Sequence, residues 1–197
     1  MSRNPEQTRQ LIIDKAIPIF NTKGYNSTSI SDITAATGIT KGAIYGNFKN
    51  KDEVASAAFD KAASIVTGQI SERIRKEKTA PSKLLAMMDY YEEYIQNPPI
   101  PGGCPVLNSS IEAADNIPFL RTKIVRSIAL IKDSLVKIVN RGIQEGQIKK
   151  YVNAEEFGVS FYAMIEGAIS LSRIEGDNRS YKHVRKFLSD RIKDISN

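Results

Sequence analysis

The chain has 197 residues, 41% of them hydrophobic, so it can bury a real core in one or two domains. Its net charge of +6 permits a polyanionic partner without requiring one, and no apolar run approaches the roughly 18 residues that span a membrane. A single cysteine, Cys104, excludes an intramolecular disulfide framework; with the polar opening MSRNPEQTRQ, which lacks the apolar stretch of a signal peptide, the expected location is the cytoplasm.

In chain order the pattern is helical almost throughout. TRQLIIDKAIPIFNTKG places Ile12, Ala16, Ile19 and Phe20 on one face and ends at Gly24, with Pro18 as an awkward interior residue. STSISDITAATG follows, where Ser29 and Asp32 form a capping box, Ile30, Ile33 and Ala36 form the expected buried stripe, and Gly38 stops the helix. Thr40 caps a short third helix from Lys41, and Asn50 with Glu53 reads as a capping box for a long helix over residues 51–76. Pro81 starts SKLLAMMDYYEEYIQ, which stops at Pro98 and Pro99. NPPIPGGCP is the strongest break, followed by a short helix over residues 105–114 and a long one from Pro118 to Arg141. Asn153 and Glu156 cap AEEFGVSFYAMIEGAISLSRIEG, and a last helix carries Tyr181, Val184, Leu188 and Ile192 as its stripe. No strand pair or repeat stands out, so the expected fold class is all-α.

Three short helices joined by tight Gly-containing turns make a helix-turn-helix, whose last member enters a major groove. Thr40, Lys41 and the free N–H groups of that helix's first turn would then face phosphates or base edges. Gly42 costs about 1 kcal/mol relative to Ala in a helix, which makes sense if DNA must approach the backbone closely. Tyr45 can donate its hydroxyl to a phosphate, and Lys51 adds a second clamp. Residues 1–51 hold seven Lys or Arg against three acids, in agreement with phosphate binding.

At these residues the sequence resembles the tetracycline-repressor (TetR) family of transcriptional regulators. The resemblance rests on IFNTKGYNSTSISDITAATGITKGAIYGNFKNKDEV, which follows the family spacing from Phe20 to Asp52 without a gap. Thr34 departs from the usual Ala and Asn47 from the usual His. The resemblance implies a DNA-binding domain over residues 1–52 and a helical effector-binding and dimerisation domain over 53–197. It adds Thr28, Ser29, Ala43 and Asn47 to the expected DNA contacts, although Ser29 has helix capping as an alternative role.

Two features of the C-terminal region point to an effector site. Met87, Met88, Tyr91 and Tyr94 crowd one helix, and Phe161, Tyr162 and Ile165 crowd another; such side chains line adaptable apolar pockets, with plain core packing as the competing role. Cys104 stands at a Gly-rich helix start, where a thiol can become reactive, or it is a small buried hydrophobe. The last two helices are expected to pair with their mates as a four-helix bundle, with Phe161, Ala168, Val184 and Leu188 at the dimer interface. No catalytic or metal-binding set can be built around one histidine, His183, and one cysteine. The adjacent Glu92–Glu93 and Glu155–Glu156 pairs point partly apart, so no enzyme activity, metal or cofactor is expected. The expected function is a repressor that binds a palindromic double-stranded DNA operator as a homodimer and releases it on binding a small-molecule effector. The alternative is a DNA-binding protein with an architectural or partner-recruiting role.

Overall fold

The computed structural model describes residues 4–197 and, within them, every side chain but that of Asp115. Met1–Arg3, part of the polar opening stretch, lie outside the described residues. Among the described residues there are nine helices: α1 (Pro5–Lys23), α2 (Ile30–Thr37), α3 (Lys41–Asn47), α4 (Lys51–Lys76), α5 (Ala80–Gln96), α6 (Pro105–Asn116), α7 (Pro118–Gln144), α8 (Ala154–Glu175) and α9 (Arg179–Ile195). The fold is all-α, and no helix among the described residues is long and apolar enough to cross a membrane.

Local chemistry explains most of the helix boundaries. The Asp32 N–H donates to Ser29 Oγ at 3.1 Å while Asp32 Oδ2 accepts from the Ser29 N–H at 2.7 Å, so the capping box opening α2 is complete. Gly38 then ends α2 in the left-handed region at φ +70°. Thr40 Oγ1 accepts from the Ala43 N–H at 3.2 Å, and Asn153 Oδ1 accepts from the amides of Glu155 and Glu156 at 3.0 and 3.1 Å. Some expectations need correction. Helix α1 begins at Pro5 because Asn4 and Gln7 form a capping box of their own. At α4, Asn50 caps Glu53 as expected, but the Glu53 carboxylate reaches past Asn50 to the Lys49 N–H at 2.8 Å. Helix α7 continues past Arg141 to Gln144, and α6 continues past residue 114 to Asn116. Ala36 is exposed, and in α1 Ile17 is buried where Ile19 was expected to be.

The chain forms two compact units. The first comprises residues up to Ile65 together with Pro99–Arg126. Here α1, α2 and α3 pack on one another around Ile12, Ala16, Ile33 and Ile44, each fully buried, with Phe48 closing the end of α3. Burying such a side chain stabilises by about 1.5–3 kcal/mol, which is what lets the short helices α2 and α3 persist. The Arg9 guanidinium lies 4.0 Å from the centroid of the Phe48 ring and donates to Asn47 O at 2.8 Å. The second unit comprises Val66–Pro98 and Ser127–Asn197, where α5, α8 and α9 pack around Leu84, Met88, Leu135, Ile165 and Tyr181. The buried Tyr181 hydroxyl donates to Met88 O at 2.6 Å, and Arg185 bridges to Asp89 and Glu92.

Candidate nucleic-acid interface

Helix α3 buries Ile44 completely and turns its opposite face to solvent. Thr40, Lys41 and Gly42 are exposed, Tyr45 is 46% exposed, and Ala43 is half-buried beside them. Lys41 and Tyr45 are four residues apart and therefore neighbours on one face. A Cβ built on Gly42 would meet only Thr40 Oγ1, at 4.0 Å, and one on Gly46 would meet nothing within 4 Å. Neither glycine is required by the chain's own packing or by a positive φ. Gly46 was not singled out from the sequence, although its four-residue spacing from Gly42 was there to be read.

The other expected contacts are differently placed. Ser29 is exposed, but its hydroxyl donates to Asp32 Oδ2 at 2.7 Å as part of the cap. Asn47 donates one Nδ2 hydrogen to Ala43 O at 2.8 Å, which turns its amide back along its own helix. Thr28 is buried, with its hydroxyl on Gly24 O at 2.6 Å, so its side chain shapes the turn between α1 and α2. Lys51 is drawn inward: Nζ donates to Tyr25 O at 2.9 Å and Thr28 O at 3.1 Å and sits 4.1 Å from the centroid of the Tyr25 ring. Backbone carbonyls and an aromatic face compete for its charge. Lys49, just beyond α3, is a further exposed cation.

Electrostatics stiffen the same turn. The Lys23 ammonium, then the Ser29 hydroxyl and amide, hold the Asp32 carboxyl well below the usual carboxylate range. Burial, then the hydrogen bond to Asp52, pushes the Tyr25 phenol up to about 12. Tyr25 also stacks on Phe20 and meets Phe119 of α7 edge-on. Three further residues hold this region and carried no sequence signal: Glu112 accepts from the Tyr25 and Asn26 amides, while the buried Asn21 and half-buried Asn108 bracket residues 101–103.

In the second unit, Met87, Met88, Tyr91, Tyr94, Phe161, Tyr162 and Ile165 are all buried. The rings of Tyr90, Tyr91 and Tyr94 form a cluster with centroids 5.3–6.2 Å apart. Cys104 belongs to the first unit, where it is buried at the N-cap of α6 and its Sγ accepts from the Leu107 N–H at 3.5 Å. The expected dimer residues need correction. Phe161, Ala168 and Leu188 are between 1% and 3% exposed in the single chain, because they fill the core between α8 and α9 and are not available to a second copy. Val184 is half-buried. The apolar face that α8 leaves open carries Val159, Ala163, Gly167, Leu171 and Ile174, with Phe187 exposed on α9; Ile174 is 82% exposed. A helix apolar on both sides has two faces to cover, and that was the available sequence signal.

A trihelical head with an open, cationic third helix, joined to a helical second unit, defines the class of helix-turn-helix regulators. The profile described as "Bacterial regulatory proteins, tetR family" matches residues 12–58, and that described as "Tetracyclin repressor-like, C-terminal domain" matches residues 80–188. The chain is similar to a TetR transcriptional regulator from Chloroflexus aurantiacus J-10-FL, with a TM-score of 0.94 and 34% identity over 99% of this chain and 98% of that one. A TetR-family regulator from Cytophaga hutchinsonii aligns with a TM-score of 0.91 and 36% identity, over 100% and 98% of the two chains. The HTH-type transcriptional repressor DhaR of Mycobacterium sp. (strain GP1) is 26% identical over 89% of this chain and 86% of its own length. The chain belongs to the TetR family of transcriptional regulators.

Proposed function

We propose that the protein is a homodimeric repressor that binds a palindromic operator and releases it when a small apolar or aromatic effector binds. The observation that carries operator binding is the outer face of α3, where Thr40, Lys41 and Tyr45 flank two glycines that nothing in the chain requires. Lysine and phenol donors suit phosphate oxygens, and a bare backbone suits close approach to a groove. Dimerisation is supported by the open stripe of Leu171, Ile174 and Phe187, with Ala163 and Gly167 small enough for close helix contact.

The effector is proposed to bind among the Tyr/Met-rich side chains of α5 and α8 in the second unit; Cys104, in the first unit, is a separate candidate for covalent modification. An effector releases DNA only through different affinities for the DNA-bound and free arrangements. Selection from a random double-stranded DNA pool, followed by footprinting, tests the main reading. One or a few palindromes with half-sites about 34–36 Å apart, or a multiple, are expected. Many dispersed sites would favour the architectural role. For that modification, alkylation of Cys104 should lower operator affinity; a thiol that reacts only after unfolding, or whose alkylation leaves affinity unchanged, is core packing.

A further inference from the structure

Glu112 of α6 grips a turn 87 residues earlier in the chain: Oε2 accepts from the Tyr25 N–H at 2.6 Å, and Oε1 accepts from the Asn26 N–H at 2.7 Å. A carboxylate that takes two consecutive amides on separate oxygens fixes both the position and the tilt of the peptide, and such charge-assisted bonds are roughly twice as strong as neutral ones. Gly24 leaves the room. Its φ is +81°, and a Cβ there would lie 2.8 Å from Glu112 Oε2, nearer than a real Cβ comes to any atom. Lys51 holds the carbonyls of the same turn, so the segment is clamped through its donors and its acceptors at once.

Asn108 lies four residues before Glu112 and therefore on the same face of α6. Its Nδ2 donates to Asn21 O at 3.1 Å, Asn21 Oδ1 at 3.2 Å and Gly102 O at 2.7 Å. One face of α6 is thus bolted to the end of α1 and to the turn that leads into Ser29 and α2. Glu112 carries the charge that DNA repels, so it does not serve as a phosphate contact. We propose that Glu112 is a positioning residue for DNA binding, which holds the turn entering the helix-turn-helix through two consecutive amides. The proposal rests on the operator-binding function above. The hold is strict, because N–H···O bonds span only about 2.7–3.2 Å and a shift of about 1 Å breaks both together.

The test uses the full chain and the selected operator. Glu112→Gln keeps the shape but turns an amide group toward one of the two N–H donors. Glu112→Asp keeps the charge but falls about 1.5 Å short. Each variant should fold with wild-type helicity and exchange the Tyr25 and Asn26 amides faster, while Ile33 and Ile44 stay protected. Operator affinity should fall about tenfold, the loss expected when a loosened turn leaves about a tenth of the molecules in the binding arrangement. The slope of log affinity against log salt should not change, since no phosphate contact is lost. Faster exchange at Tyr25 and Asn26 with unchanged affinity would overturn the proposal, as would a changed salt slope or a loss of helicity in both variants. A wild-type protein that selects no DNA sequence overturns the operator reading itself, and this proposal with it.

Discussion

Gly42→Ala should raise the stability of the protein and lower its affinity for DNA. The added methyl meets only Thr40 Oγ1, at 4.0 Å, and no positive φ forbids it. Alanine is better than glycine by about 1 kcal/mol in a helix interior; on the first turn of α3 roughly half of that is a fair figure. For a domain of this size about 2–4 °C accompanies each kcal/mol, so the melting temperature should rise by about 1–2 °C. On DNA the same methyl stands between the backbone and the groove and lengthens the contacts of the first-turn N–H groups. Loss of one hydrogen bond to a charged group costs about 1.5–3 kcal/mol, or roughly 10- to 150-fold in affinity. Urea unfolding followed by circular dichroism and operator titration by fluorescence anisotropy at fixed salt measure the two effects separately. A variant that is more stable and binds as wild type would refute the close approach of DNA at Gly42. One that loses stability would show that the glycine serves the fold.

Other substitutions test the remaining parts. Lys41→Ala should weaken operator binding and flatten the log-affinity against log-salt slope by about 0.9 per head, whereas Tyr45→Phe should weaken binding with little change in slope; equal binding by both would remove this face from the interface. Ile174→Lys or Phe187→Glu should convert the dimer to monomer in sedimentation at unchanged helicity, while a charge at Phe161 or Leu188 should unfold the second unit, and a reversed pattern would refute the assignment of faces. The Asp32 carboxyl is lowered in the folded state, so its contribution is complete above its unfolded value of about 3.9 and is lost as pH falls below it. Asp32→Asn should therefore weaken the acid dependence of unfolding, and an identical acid profile would show that the cap does not couple to stability.

The head was legible in the sequence because its signals are local. Ser29 with Asp32 and Thr40 with Ala43 meet within three residues, and Ile33 and Ile44 announce the inner faces of two short helices. What the local pattern did not show was set by partners outside a residue's own helix, some near in the chain and some far. Thr28 and Lys51 look like polar groups open to DNA, yet Gly24, Tyr25 and the Thr28 carbonyl occupy them. Glu112 sits on a helix of ordinary composition and acquires its role from two amides 86 and 87 residues away. On α8, apolar residues surround the axis, so periodicity alone could not say which side faces the chain's own core. Phe161 and Ala168 proved to be inside, and Leu171 and Ile174 outside.

The clamp made by Lys51 has a consequence for charge counting. Among the seven basic residues in the first 51, Lys51 is engaged by two carbonyls and a ring, Lys23 by Asp32, and Arg9 by Glu53, Phe48 and Asn47 O. Three of these cations therefore already have partners within the chain, Lys23 and Arg9 in ion pairs near the surface and Lys51 on neutral groups that leave its charge in place. A head of this kind holds DNA with few mobile cations and more neutral donors, and it displaces fewer counterions than its composition implies. Its grip should depend less on ionic strength than seven cations would suggest, while the chain's net charge of +6 still draws it toward the duplex.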